Sequence, residues 1–136
     1  MINSPLPTSE QIHRLLEYYP VLCTEGFEPF QPGSSSASIP SGGFFSSSLH
    51  YQPLVVEFFN LLAQECWLDH DYDPAEAYRV LTDPQQLKTA DLAKLRSLFT
   101  WCLRGERFCE GHWGQVITSG MLREIMNRLR EISGVS

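Results

Sequence analysis

From Asp91 to Ile132 the apolar residues return every three or four positions, with Gly105 and Gly120 as punctuation. Leu92, Leu95, Leu98, Phe99, Cys102 and Leu103 form the first set, and Phe108, Cys109, His112, Trp113, Val116 and Ile117 the second. Met121, Leu122, Ile125, Met126, Leu129 and Ile132 complete the third. A period near 3.6 places each set on one face of a helix, whereas a strand would require strict alternation. The spacing predicts a helix stopping at Gly105, a second from about Phe108 with Gly120 as its C-cap, and a third closing the chain.

Upstream signals agree. Thr8 followed by Gln11 has the form of a capping box, and Ile12, Leu15, Leu16 and Tyr19 continue it as a helix over about 9–19, limited by Pro20. Pro53 at a first turn, with Leu54, Val55, Phe58, Phe59, Leu61 and Leu62 behind it, predicts a central helix. Asp73, Pro74 and Glu76 supply an N-cap, an N1 proline and a first-turn acid for a short helix ending near Asp83. Between Cys23 and Ser48 the Ser, Gly and Pro content offers neither period, so that stretch is expected to be a long outer loop pinned at its far end by Phe44 and Phe45.

The expected architecture is all-α: a compact single-domain bundle of five to six helices with a long Ser/Gly/Pro-rich loop. Residues 1–22 provide an N-terminal helix, 23–48 the loop and 49–136 the helical core, all in one structural domain. Its expected core is Phe58, Phe59, Leu62, Leu95, Leu98, Phe99, Phe108, Trp113, Ile117, Leu122, Ile125 and Leu129. A length of 136 residues suits one hydrophobic core. Charged residues interrupt the most apolar stretch, Leu54 to Leu68, so no membrane span is expected. Met1 to Glu10 lack the pattern of a secretory signal, and four scattered cysteines are expected to stay as thiols, both in keeping with a cytoplasmic location.

The net charge of −6 argues against general binding to polyanions, but it is unevenly distributed. Residues 1–86 carry −9 and residues 87–136 carry +3. Such a split favours docking of the halves on each other or on a partner, self-association included.

Cys109 and His112 are three apart on a helical spacing, as a metal pair or an activated thiol would be. The other cysteines and histidines offer no second pair, so burial in an apolar stripe is the preferred reading, and neither a metal nor another cofactor is expected. Arg104, Arg107 and Glu110 would form a ladder if the helix ran through Gly105, and two guanidinium forks suit a carboxylate or phosphate. With Cys109, His112 and Trp113 they make a candidate ligand pocket. Asp69, His70, Asp71 and Asp73 imitate a calcium loop, but Pro74 stands where such a loop needs glycine and Val80 where it needs glutamate. Arg123, Asn127, Arg128 and Arg130 would suit a nucleic-acid surface on the last helix of a helix-turn-helix, a reading ranked third. No phosphate loop, nucleophile elbow or paired carboxylates appear, so an enzyme of a familiar class is not expected.

The block from Leu98 to Ile132 resembles a family of small bacterial and archaeal proteins known only as a domain of unknown function. Its members carry a stretch like RxxRFCEGH, then an apolar face, a glycine and a closing helix with LxRL. Arg104, Arg107, Phe108, Cys109, Glu110, Gly111, His112, Gly120, Arg128 and Leu129 fit that pattern, and Tyr51, Pro53, Val56, Glu57, Phe58, Trp67, Tyr72 and Asp73 extend it upstream. The resemblance implies a compact helical domain and marks the RFCEGH block as distinctive, without implying an activity. A protein-interaction or regulatory module is therefore the leading expectation, followed by a small-ligand or enzymatic site around Arg107, Cys109, Glu110 and His112.

Overall fold

The computed structural model describes residues 5–30 and 51–134. Eight α-helices occur among them: α1 (Ser9–Leu16), α2 (Tyr19–Leu22), α3 (Pro53–Leu62), α4 (Pro74–Leu81), α5 (Pro84–Lys88), α6 (Leu92–Arg104), α7 (His112–Thr118) and α8 (Met121–Ser133). A 3-10 turn at Gly105–Arg107 follows α6. There is no strand among the described residues; a lone antiparallel bridge joins Phe30 to Tyr51, where the Gln52 amide donates to the Pro29 carbonyl at 2.9 Å. The part assigned to Phe44 and Phe45 lies outside the described residues.

N-cap side-chain oxygens start four of these eight helices. Thr8 Oγ1 accepts from the Gln11 amide at 3.2 Å while Gln11 Oε1 accepts from the Thr8 amide at 2.8 Å, completing the capping box. Asp73, Asp83 and Asp91 each cap with a carboxylate oxygen, accepting from Ala75, Gln85 and Lys94 amides at 2.9, 3.0 and 2.8 Å. Pro74 and Pro84 follow two of these caps directly, where the missing N–H costs nothing. Asp83 therefore opens a further helix, α5, beyond the helix expected to end there. Pro20 likewise lies inside the first turn of α2 instead of closing the first helix, which stops at Leu16.

The core gathers around α6 and α8. Leu95, Leu98, Phe99 and Cys102 of α6 are buried against Val55, Phe58, Phe59 and Leu62 of α3 and Leu122, Ile125, Met126 and Leu129 of α8. Trp67 is buried too and meets Phe99 edge to face at 5.4 Å. Burying one such side chain contributes about 1.5–3 kcal/mol. The long connection after α3 is tied to this core by a buried hydroxyl: Thr100 Oγ1 accepts from the Asp69 amide at 2.9 Å and faces the Trp67 and Arg96 carbonyls at 3.3 and 2.9 Å.

Two of the expected core residues differ. Trp113 is half-buried, and Phe108 is 85% exposed. The reason is local. Helix α6 ends at Arg104, α7 begins only at His112, and the left-handed Gly111 (φ 91°) separates them, so Phe108 and Cys109 never join the helical face that their spacing suggested.

Candidate functional site

The link between α6 and α7 is organised by Glu106. Its carboxylate accepts from the Gly111 amide at 3.1 Å and the Trp113 amide at 2.9 Å, and from the Tyr51 hydroxyl at 3.0 and 3.1 Å. The Gly114 amide in turn donates to the Tyr51 hydroxyl oxygen at 3.3 Å. One carboxylate thereby satisfies amides that a helix start leaves without partners, and draws in the bridge at residue 51. Burial and the adjacent Glu106 charge push the Tyr51 phenol above its ordinary pKa, so it stays a neutral donor.

Glycines make room for this packing. A Cβ at Gly105 would overlap the His112 ring, and one at Gly114 would come within 2.6 Å of the Phe30 ring. Trp113 stacks on Phe59 with centroids 4.4 Å apart and donates its indole N–H to the Leu103 carbonyl at 2.9 Å. Phe30 stacks on Tyr51 at 4.9 Å. The block R-G-E-R-F-C-E-G-H-W-G is thus a braced turn, anchored through Glu106, His112 and Trp113.

The candidate pocket residues do not converge. Arg104 lies over the Tyr72 ring at 5.5 Å, Trp113 is engaged with Leu103 and Phe59, and Arg107, Cys109 and Glu110 are exposed at the tip beside Phe108. With α6 ending at Arg104, the ladder of Arg104, Arg107 and Glu110 does not form. His112 turns inward over Gly105, whereas Cys109 is exposed. No group of three or more potential metal ligands occurs among the described residues.

On α8, Arg128 Nε donates to the Ala90 carbonyl at 2.8 Å, Arg130 covers the Tyr19 ring at 4.3 Å, and Asn127 accepts from the Tyr19 hydroxyl at 2.5 Å. Three of the four residues considered for nucleic acid therefore hold the bundle together. Arg123 lines a cavity of about 510 Å³ between the Cys23–Glu28 segment and the α7–α8 turn, where burial pushes the Cys23 thiol up to about 12. A second cavity, about 550 Å³, lies between α5 and α8. Neither is lined by the candidate pocket residues.

Sequence reasoning passed over Glu106; the one signal was an acid shortly before a glycine that opens a helix, where negative charge is favoured. Tyr51 entered only as part of the upstream segment that resembles the family, with nothing to pair it with Glu106.

Fold and site together define a small all-α domain whose distinctive feature is an exposed, braced inter-helix turn. The chain belongs to DUF6508, a family of unknown function, which it matches over residues 7–135. Comparison with curated proteins and with solved structures finds no match. No helix among the described residues is long and apolar enough to cross a membrane.

Proposed function

We propose that the chain is a protein-interaction module whose contact element is the turn Arg107–Phe108–Cys109–Glu110. The observation that carries the reading is Phe108: 85% of a large apolar side chain stands in water on a turn that the Glu106 hydrogen bonds hold in place. Exposed aromatic side chains and arginines are the groups that protein interfaces enrich, and Arg107, next in sequence, is exposed as well. A tip already fixed in shape loses little conformational entropy on binding. Burying Phe108 in a partner's apolar slot is worth about 1.5–3 kcal/mol, so truncating it is expected to weaken the complex on the order of ten- to a hundredfold.

A photo-crosslinking amino acid at position 108, with Gln115 on the exposed side of α7 as the control position, tests this in cells producing the chain. The reading expects an adduct at 108, absent at 115, that excess unlabelled wild-type chain competes away and Phe108→Ala chain does not. Equal labelling at the two positions, or equal competition by the Phe108→Ala chain, would overturn it.

A further inference from the structure

The imidazole of His112 is half-buried beneath the exposed turn, with its Nε2 edge turned inward away from water. Trp101 closes one side edge to face, with centroids 4.8 Å apart, and Gly105 closes another so tightly that a Cβ there would overlap Nε2, Cδ2 and Cε1. Nε2 is buried and has no hydrogen-bond partner among the described residues. The main chain of Trp101 lies close enough to the ring to favour its protonated form, as Glu106 does. From the 3-10 turn the charge facing the ring is Glu106, whose oxygens already accept from Gly111, Trp113 and Tyr51. On α6, Arg104 is drawn over Tyr72; on α4, Tyr78 packs against Trp101; Arg107 and Glu110, in the turn itself, are exposed. A neutral ring fits this enclosure. An imidazolium would carry a second N–H, at Nε2, facing a wall with no acceptor. Burial accordingly holds His112 below the ordinary histidine pKa, against the smaller opposing pulls of Glu106 and the Trp101 main chain.

We infer that proton uptake by His112 releases the 105–112 turn from α6, so that the tip carrying Phe108 is held at neutral pH and let go in mild acid. Biological consequence for a partner rests on the interaction reading above; the switch itself rests on the enclosure. The proton adds to the Nε2 lone pair, and the new N–H reaches water only if the ring swings out from over Gly105. His112 is the first residue of α7, so its departure pulls at the amides of Gly111 and Trp113 and at their bonds to Glu106. The direction follows from linkage: the closed form binds the proton more weakly than the open form. The contribution of neutral His112 to closure is therefore fully present above the free-histidine value of about 6.5, and between that value and the lower one of the closed form the open-to-closed ratio rises by up to about tenfold per pH unit.

The test is a nuclear magnetic resonance titration of the intact chain from about pH 7.5 to about pH 4.5, spanning the range in which histidine changes charge. It follows the ring signals of His112, and amide exchange protection at Gly111, Trp113 and, in the core, Ile125. His112 is expected to titrate below the ordinary histidine value of about 6.5, while protection at Gly111 and Trp113 falls by up to about tenfold per pH unit relative to Ile125. A His112 midpoint at or above that ordinary value, or protection at the turn that tracks Ile125, would overturn the inference. His112→Gln is expected to abolish the pH dependence; if that variant does not fold, the wild-type titration decides alone. The two readings part in the crosslinking assay. No adduct at position 108 near pH 7.5 sinks the partner and leaves the switch standing, whereas an adduct undiminished near pH 5 sinks the switch and leaves the partner.

Discussion

Replacing Glu106 by alanine removes the acceptor of three donors at once: the amides of Gly111 and Trp113 and the hydroxyl of Tyr51. Hydrogen bonds to a charged group contribute about 1.5–3 kcal/mol each, and most of that is lost when the donor left behind is shielded from water. The tyrosine hydroxyl is the cheapest to lose, since it rotates freely and still accepts from Gly114. Glu106 is half-buried, so the low end applies to the two amides, giving an expected loss of about 3 kcal/mol. Against a typical total of about 5–15 kcal/mol that is a large share, and corresponds to a fall in Tm of roughly 10 °C. Urea unfolding of Glu106→Ala, Glu106→Gln and Glu110→Ala gives the comparison. The glutamine keeps one acceptor oxygen and is expected to lose about half as much, whereas Glu110, exposed at the tip, is expected to change stability by no more than about 0.5 kcal/mol. A Glu106→Ala cost under about 1 kcal/mol, or an equal cost at Glu110, would refute the account of the carboxylate as the brace.

Four further outcomes are expected. Phe108→Ala leaves thermal unfolding within about 0.5 kcal/mol of wild type, because the side chain that it removes is already in water. Gly111→Ala costs about 1–2 kcal/mol by denaturant titration, since φ is 91° there and a Cβ strains a left-handed residue. Thr100→Val removes the buried hydroxyl that accepts from the Asp69 amide and is expected to cost about 1–2 kcal/mol in the same assay. Under native conditions near neutral pH, Cys109 is expected to react with a disulfide reagent at least about a hundredfold faster than Cys102 and Cys23, whose thiols are pushed up to about 12 by burial; mass mapping of the labelled peptides checks it.

The helical periodicity of residues 92–104 and 121–133 was legible because each face packs along its whole length against the core, so burial and period coincide. The caps at Thr8 and Asp73 were legible for a similar reason: the chemistry that starts a helix lies within three residues of the cap. Residues 108–117 misled. Their apolar spacing continues that of the neighbours, and what breaks it is long-range: a tyrosine fifty-five positions away binding Glu106, and a phenylalanine ring seated where Gly114 leaves room. The arginines of α8 carry the same lesson. Composition gave them an outward, phosphate-facing role, but Arg128 and Arg130 find a carbonyl and an aromatic ring contributed by distant segments.

The bridge between Phe30 and Tyr51 brings the two ends of a twenty-residue interval together beside Gly114. An interval that leaves and returns at one fastened point can change length with little consequence for the bundle, since doubling a loop adds only about 0.6 kcal/mol of closure entropy. The pinch at 30 and 51 therefore acts as a graft point: a change of length between those positions is expected to leave the helices and the turn in place.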